Sequence, residues 1–363
     1  MASITSQRET RGGFNSVWFD KQLRKFGIMS LVTLFTAMLA AAFLTPFFYS
    51  ALTSIKDQDQ IVASARGSIW PVDQLTYTYE GEEVGIYKVP MPDGNIRELA
   101  LVDKGRQSSD FIDPAAADAG LVTWEGSWRT LDPVEELAPR WENFPTAWEE
   151  INFPLLVRNT LAIALIGVIG TLISSIAVAY AFARFPLPFK RTLFFLLIST
   201  IILPTQVTLI PTYTIYARIG WVGTWLPLLV PHFFANAYNV FLLRQYFLTL
   251  PKELDEAAMI DGAGPLRILI SVIIPQSWPV IVAVSLFHIV FAWNDYFAPL
   301  IYLLGKPNLI PISIGIQNFN FQYGSKPHMI QATALMGLAF PVLVFFLAQR
   351  VFMRGVVITG VEK

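Results

Sequence analysis

The sequence contains no cysteine, which excludes disulfides and every metal site built on thiolates. Histidine is scarce as well: His232, His288 and His328 are the only three, and their wide separation along the chain lacks the spacing of a metal-ligand cluster. The expectation is no metal site, with each histidine a hydrogen-bonded structural residue. Charged residues make up only 15% of the 363 positions and sum to −1. The basic ones are distributed along the chain and not pooled, so no nucleic-acid partner is implied. A G-x-x-x-x-G-K-[ST] phosphate loop, a nucleophile elbow, a His-Glu metalloprotease motif and a carboxylate pair placed at the membrane are all missing. The reading is a protein with no catalytic residue, no cofactor of its own and no means of hydrolysing a nucleotide by itself.

What the sequence has in excess is apolar surface, with 54% hydrophobic residues and 14% aromatics, well beyond a soluble domain. A helical crossing of the hydrocarbon layer takes about 20 apolar residues. Six runs meet that length, at 27–49, 160–182, 192–213, 226–243, 280–302 and 330–352. Pro46, Pro204, Pro211, Pro227, Pro231, Pro299 and Pro341 lie in them and predict kinks. An all-α membrane protein of six helices follows.

The flanking cations give the orientation. Arg8, Arg11, Lys21, Arg24, Lys25, Arg184, Lys190, Arg191, Arg244, Lys252, Arg267, Arg350, Arg354 and Lys363 fall on one side, whereas the short loops opposite carry only Arg218, Lys306 and Lys326. The positive-inside rule then puts both termini in the cytoplasm. Ala40-Ala41-Ala42 resembles a signal-peptidase site, but the run before it is too long for a signal core. The first helix is therefore expected to stay attached.

The outer segment 50–150 is more than a connector. "LTYTYE", "VGIYKV" and "IRELALV", separated by "GEE", "PMPDGN" and "DKGRQSSD", read as a small antiparallel β unit between Asp57 and about Leu137. A partly ordered loop is the alternative, because fewer than 80 residues without a disulfide give a marginal core. Trp124, Trp128, Trp141 and Trp148 follow and are read as interface anchors.

On the inner side, 244–279 is the longest loop and the most patterned. In "LPKELDEAAMIDGAGPLR", Pro251 stands near a helix start and Glu253, Asp255 and Glu256 occupy the first turns, where acids complement the helix dipole. Gly262 suits a left-handed helix stop, and Pro265 the start of the next helix. This gives a short helical hairpin with Ala257 and Ala258 on a face able to approach another surface closely.

Glu256-Ala257-Ala258, Gly262 after three residues and Val272-Ile273-Ile274-Pro275 after nine more resemble the EAA loop of ABC importer permeases, whose pattern runs EAA, three residues, G, nine residues, I-x-L-P. Val272 for Ile and Ile274 for Leu are the departures. "FPLLVRNTLAIA", "AYAFARFPLPFKR", "LPTQVTLIPTY" and "WNDYFAPLIYL" are together similar to the MalG-like branch, the inner-membrane permeases of carbohydrate importers. The resemblance covers the first span and the chain from about Trp141 onward; the long outer loop departs from it.

The resemblance implies a cytoplasmic segment 1–26, a first span 27–49, an extracytoplasmic loop with insertion 50–150, a five-helix permease core 151–352 and a cytoplasmic tail 353–363. It implies that Glu256, Ala257, Ala258 and Gly262 couple to an ATPase and that motion reaches the bilayer through Pro275. It implies as partners a second permease, a cytoplasmic ATPase dimer that holds ATP and Mg, and an extracytoplasmic solute-binding protein, with a sugar or sugar derivative as cargo. Gln206, Asn236, Asn239, His288, Asn294 and Asp295 are polar at membrane depth and are candidates for the translocation path; each also has a plain reading as a helix–helix hydrogen bonder. The competing class, a secondary transporter or channel, needs a midplane coupling site and often an internal repeat. The spans carry no Glu or Lys in their centres, and no repeated half is visible.

Overall fold

The computed structural model describes residues 16–64, 68–321 and 324–357. Arg8, Arg11 and Lys363, used above for orientation, lie outside the described residues. The chain divides into two units, residues 1–52 and 53–363.

The described part of the first unit is helical. Helix α1 spans Ser16–Ser54 and carries Pro46 within it. Its large apolar side chains, among them Phe26, Leu31, Leu34 and Phe43, are exposed. A helix that is apolar all round belongs in a membrane or in a larger core.

The second unit begins with a β-rich insertion. Helix α2 (Gln58–Ser64) precedes β1 (Val72–Gln74), β2 (Thr76–Tyr79), β3 (Glu82–Pro90), β4 (Ile96–Asp103), β5 (Ser108–Ile112), β6 (Leu121–Glu125), β7 (Asp132–Pro133) and β8 (Glu135–Leu137). Strands β2 to β6 form an antiparallel meander, β7 pairs with β3, and β1 pairs with β8 at the base. The first hairpin turns through Glu80 and Gly81, with φ of 50° and 87°; two consecutive positive values give a primed turn that matches strand twist. Val89, Leu99, Leu101 and Phe111 form a buried core of the sheet. The expected antiparallel β unit is present and the partly ordered loop is set aside; the all-α class is corrected only in that the mostly helical chain carries a sizeable sheet and not merely a small one.

Two of the four tryptophans also change role. The Trp124 indole donates to the Pro90 carbonyl (3.1 Å), and Trp128 packs edge-on to Tyr87. Both belong to the sheet and not to a membrane interface. Trp141 and Trp148 remain exposed beside the return to the helices.

A polar clasp closes the base of the insertion. Arg140 donates through Nε to Asp57 (2.9 Å) and through Nη2 to Asp73 (2.6 Å). Gln60 donates to Asp73 and accepts from the Asp57 amide. The Asn143 amide bonds the carbonyls of Ser54 and Lys56. Chain departure and chain return are thereby tied at one point.

The helical core follows: α3 (Asn143–Glu150), α4 (Phe153–Arg184), α5 (Lys190–Ser199), α6 (Thr205–Arg218), α7 (Leu226–Leu229) and α8 (Ala237–Thr249). After them come α9 (Glu253–Ile260), α10 (Pro265–Ile268), a π-helical turn (Leu269–Ile273), α11 (Ile274–Gln276) and α12 (Trp278–Asn294). The last elements are α13 (Phe297–Tyr302), α14 (Ile312–Gly315), α15 (Asn318–Phe321) and α16 (Pro327–Val357). Helix α4 is central, with α8 and α12 packed on it. It buries Gly167, Gly170, Ser175, Ala179 and Ala183, small residues that let neighbouring backbones approach. At one end Asn159 bonds the carbonyls of Asn308 and Ile310, and Thr160 accepts from the Ile312 amide.

Among the described residues, Lys21–Ser54, Phe153–Arg184, Leu226–Thr249 and Pro327–Gln349 are long and apolar enough to cross a bilayer. Two bent pairs raise the number to as many as six: Lys190–Ile202 with Gln206–Arg218 at 96°, and Pro265–Gln276 with Trp278–Asn294 at 81°. The kink expected at Pro204 in the span 192–213 is a full break before that residue, since proline is restricted to φ near −65° and disfavours helix in the residue before it. The expected helix 280–302 also breaks, since α12 ends at Asn294 and α13 starts at Phe297.

Candidate functional site

Two places hold the residues singled out in the sequence. The first is the loop between α8 and α12. Helix α9 begins after Pro251, with Glu253, Asp255 and Glu256 in its first turn. It ends as the sequence requires: Gly262 has φ of 80°, the Ala263 amide donates to the Ala258 carbonyl (2.9 Å), and the Gly262 amide to that of Met259 (3.0 Å). This pair of bonds is a Schellman stop. Pro265 then occupies the first turn of α10.

The two alanines of the motif point apart. Glu256 and Ala257 are exposed, while Ala258 is half-buried against the apolar cluster to which α4, α8, α10 and the π turn contribute. The expectation that Ala257 and Ala258 share an outer face is corrected: Ala258 lies one turn on from Leu254 and Asp255, on the inward side of α9, whereas Glu256 and Ala257 lie on the exposed side. Met259, Ile260 and Leu266 in the same loop are exposed as well, Ile260 to 87%. The outer face is thus a small residue and a carboxylate set among uncovered apolar side chains. Pro275 sits in α11, beyond the π turn.

The second place is a cleft of ≈ 340 Å³ lined by His232, Asn236, Tyr238, Asn239, Phe287, His288 and Phe291. It collects Asn236, Asn239 and His288 of the six path candidates. Asn236 also caps α8, its Oδ1 accepting from the amides of Tyr238 and Asn239. His288 is buried, with Nδ1 3.2 Å from the Thr171 hydroxyl, and a Cβ at Gly167 would fall on its Nε2. Its ring is therefore held along α4 by the absence of a side chain at Gly167. His232 packs perpendicular to it, ring centroids 4.4 Å apart. Sequence distance concealed this pair, and so His232 was missed as a lining residue. No group of three His, Asp or Glu side chains placed to share a metal occurs among the described residues.

The other three candidates lie elsewhere. Asn294 lines a separate cleft of ≈ 330 Å³ with Trp293, Tyr296, Ser313 and Gln317. Asp295 sits at the break between α12 and α13, where Oδ1 accepts from the Ala298 amide (3.3 Å) and its carbonyl accepts from the Ser313 hydroxyl (2.7 Å). Gln206 is exposed on α6.

Residues 170–357 match the family described as "Binding-protein-dependent transport system inner membrane component". The chain belongs to that family. It is a multi-pass transport component of the ABC importer permease type and not an enzyme, which sets aside the secondary transporter or channel. The matched region includes α9, the Schellman stop and the histidine-lined cleft. The osmoprotective compounds uptake permease protein GgtD of Synechocystis sp. is 35% identical over 209 residues, 56% of this chain and 69% of GgtD. The sn-glycerol-3-phosphate transport system permease protein UgpE of Agrobacterium fabrum is 34% identical over 211 residues, 58% of this chain and 74% of UgpE. In a crystal structure of a bacterial ABC transporter involved in the import of the acidic polysaccharide alginate, one chain has a TM-score of 0.61 at 20% identity, covering 94% of this chain and 99% of that one. The permease fold is shared.

Proposed function

We propose that this chain is one of two permease subunits that together line the path of an ATP-driven importer for a sugar, polyol or sugar derivative. Six spans cross the membrane, the two bent pairs each counting as one, and both termini are cytoplasmic. Residues 50–150 lie outside and 244–279 inside. A cytoplasmic ATPase dimer holds ATP and Mg, and an extracytoplasmic solute-binding protein delivers cargo.

One observation carries the coupling role: α9 presents Glu256 and Ala257 on an outer face among exposed apolar side chains, with a Schellman stop fixing where the helix ends. A carboxylate at the rim and a small residue beneath it suit docking into a groove on another protein. The cargo class rests on relatives named for osmoprotective compounds and for sn-glycerol-3-phosphate. The aromatic, amide and imidazole lining of the histidine cleft suits a hydroxylated solute.

The test is uptake by proteoliposomes containing this chain with its partner subunits. Accumulation is expected to require internal ATP and external binding protein. Uptake driven by a proton or sodium gradient without ATP contradicts the reading.

A further inference from the structure

Arg184 ends α4, and Asp255 stands in the first turn of α9. The Arg184 Nε lies 2.8 Å from Asp255 Oδ2, with side chains only 6% and 11% exposed. Every other described ion pair has both side chains roughly a third exposed or more. Burying opposite charges gives little net stability compared with an apolar pair of the same shape, so general stabilisation does not account for this one.

Its surroundings show what it joins. Arg184 Nη2 donates to the Leu250 carbonyl (3.0 Å), just before α9. One turn earlier, the Tyr180 hydroxyl donates to the Pro265 carbonyl (3.3 Å), at the start of α10. The last turns of α4 therefore hold the loop before, within and after its outer helix. The route through Pro275 is less direct: it passes a π turn and an 81° bend before reaching α12. Helix α4 in turn packs Gly167 and Thr171 against His288 in the cleft. A displacement of α9 thus has a short, buried path to the wall of the cleft.

The pair is also incompletely satisfied. Asp255 Oδ1 has no hydrogen-bond partner among the described residues, and the Arg184 Nε contact is close without being an aligned hydrogen bond. A buried pair with unused bonding capacity can be remade in a second arrangement, as a two-position joint requires.

The geometry points to Arg184 and Asp255 as positioning residues for coupling, a buried joint through which α9 moves α4. This rests on the docking role proposed for α9. The experiment uses the assembled importer in proteoliposomes and reads three quantities: solute-stimulated ATP hydrolysis, uptake, and disulfide or photochemical crosslinking from position 257 to the ATPase. Asp255→Asn and Arg184→Gln are each expected to lower stimulated hydrolysis and uptake about tenfold, within the usual range of coupling between sites, with the crosslink and basal hydrolysis retained. Asp255→Glu should keep most of the activity, and the double variant should cost no more than either single one. With the wild-type crosslink present, normal uptake in both single variants overturns the joint, as do fully additive losses or loss of the crosslink in the variants. Absence of the crosslink in the wild type overturns instead the docking reading on which the joint depends.

Discussion

At the scale of single residues, the position with the clearest requirement is Gly262. Its φ of 80° costs a residue with a Cβ about 1–2 kcal/mol, and nothing crowds the site, since a built Cβ meets no atom within 4 Å. The penalty is therefore one of backbone conformation and not of space. Gly262→Ala is expected to weaken solute-stimulated ATP hydrolysis only modestly, and the β-branched Gly262→Val to lose most of it, with membrane insertion unchanged; equal activity in both variants contradicts a conformational role. Asp295 yields the opposite expectation. Its carboxylate accepts from the Ala298 amide at the start of α13, a task that the amide oxygen of asparagine also performs. Asp295→Asn should assemble and transport as the wild type does, and a selective transport defect in a well-assembled complex would show that the charge itself is used.

At the scale of elements, the clasp under the insertion has a definite pH dependence. Burial raises the Asp57 pKa, but the Gln60 amide and the Arg140 guanidinium together outweigh it, so the carboxyl titrates below its usual 3.8. A carboxyl depressed on folding stabilises above its unfolded pKa, and that contribution is lost as pH falls through the folded value. The clasp should hold from neutral pH down to about pH 4 and loosen below it. Because Arg140 and Asp57 are each about a third exposed, solvent screening discounts the pair to about 1 kcal/mol. Arg140→Ala should then raise amide exchange in α2 and β1 roughly fivefold at pH 7, measured by hydrogen exchange with mass spectrometry. Exchange equal to wild type at pH 7 contradicts the clasp.

The same elements show what the sequence made legible. "LTYTYE", "VGIYKV" and "IRELALV" fall on β2, β3 and β4 because β-prone runs and turn residues are local signals. Strands β5 and β6 escaped: they sit in "SSDFI" and "LVTWE", short stretches whose pairing is decided by neighbours. The helix stop at Gly262 was legible for the same local reason. The Arg184–Asp255 contact was not, because each charge had a sufficient explanation where it stood, Arg184 as an inner-side cation and Asp255 as a helix-start acid. The helix break at 295–296 was hidden by continuous hydropathy, which counts apolar residues and is blind to direction, whereas Pro204 marked the one at 203–204 as a kink.

At the scale of the whole molecule, the absence of native cysteine makes orientation directly measurable. Single cysteines at Gly94, in the β3–β4 turn, and Ala263, after the Schellman stop, should react with an impermeant thiol reagent from opposite faces of the membrane. Labelling of both from outside intact cells contradicts the proposed topology, and with it the assignment of α9 to the ATPase side.

The central claim is that the exposed face of α9 is where this permease meets its ATPase. The measurement that tests it most directly is crosslinking to the ATPase in the assembled complex from single positions along that helix. Ala257, which is exposed, and Ala258, which is half-buried against the apolar cluster beneath α9, are adjacent in sequence and face different ways. The account predicts an adduct with the ATPase from a cysteine or photoreactive residue at 257, and little or none from 258. Equal yields from the two positions, or none from 257 in a complex that transports, would contradict it.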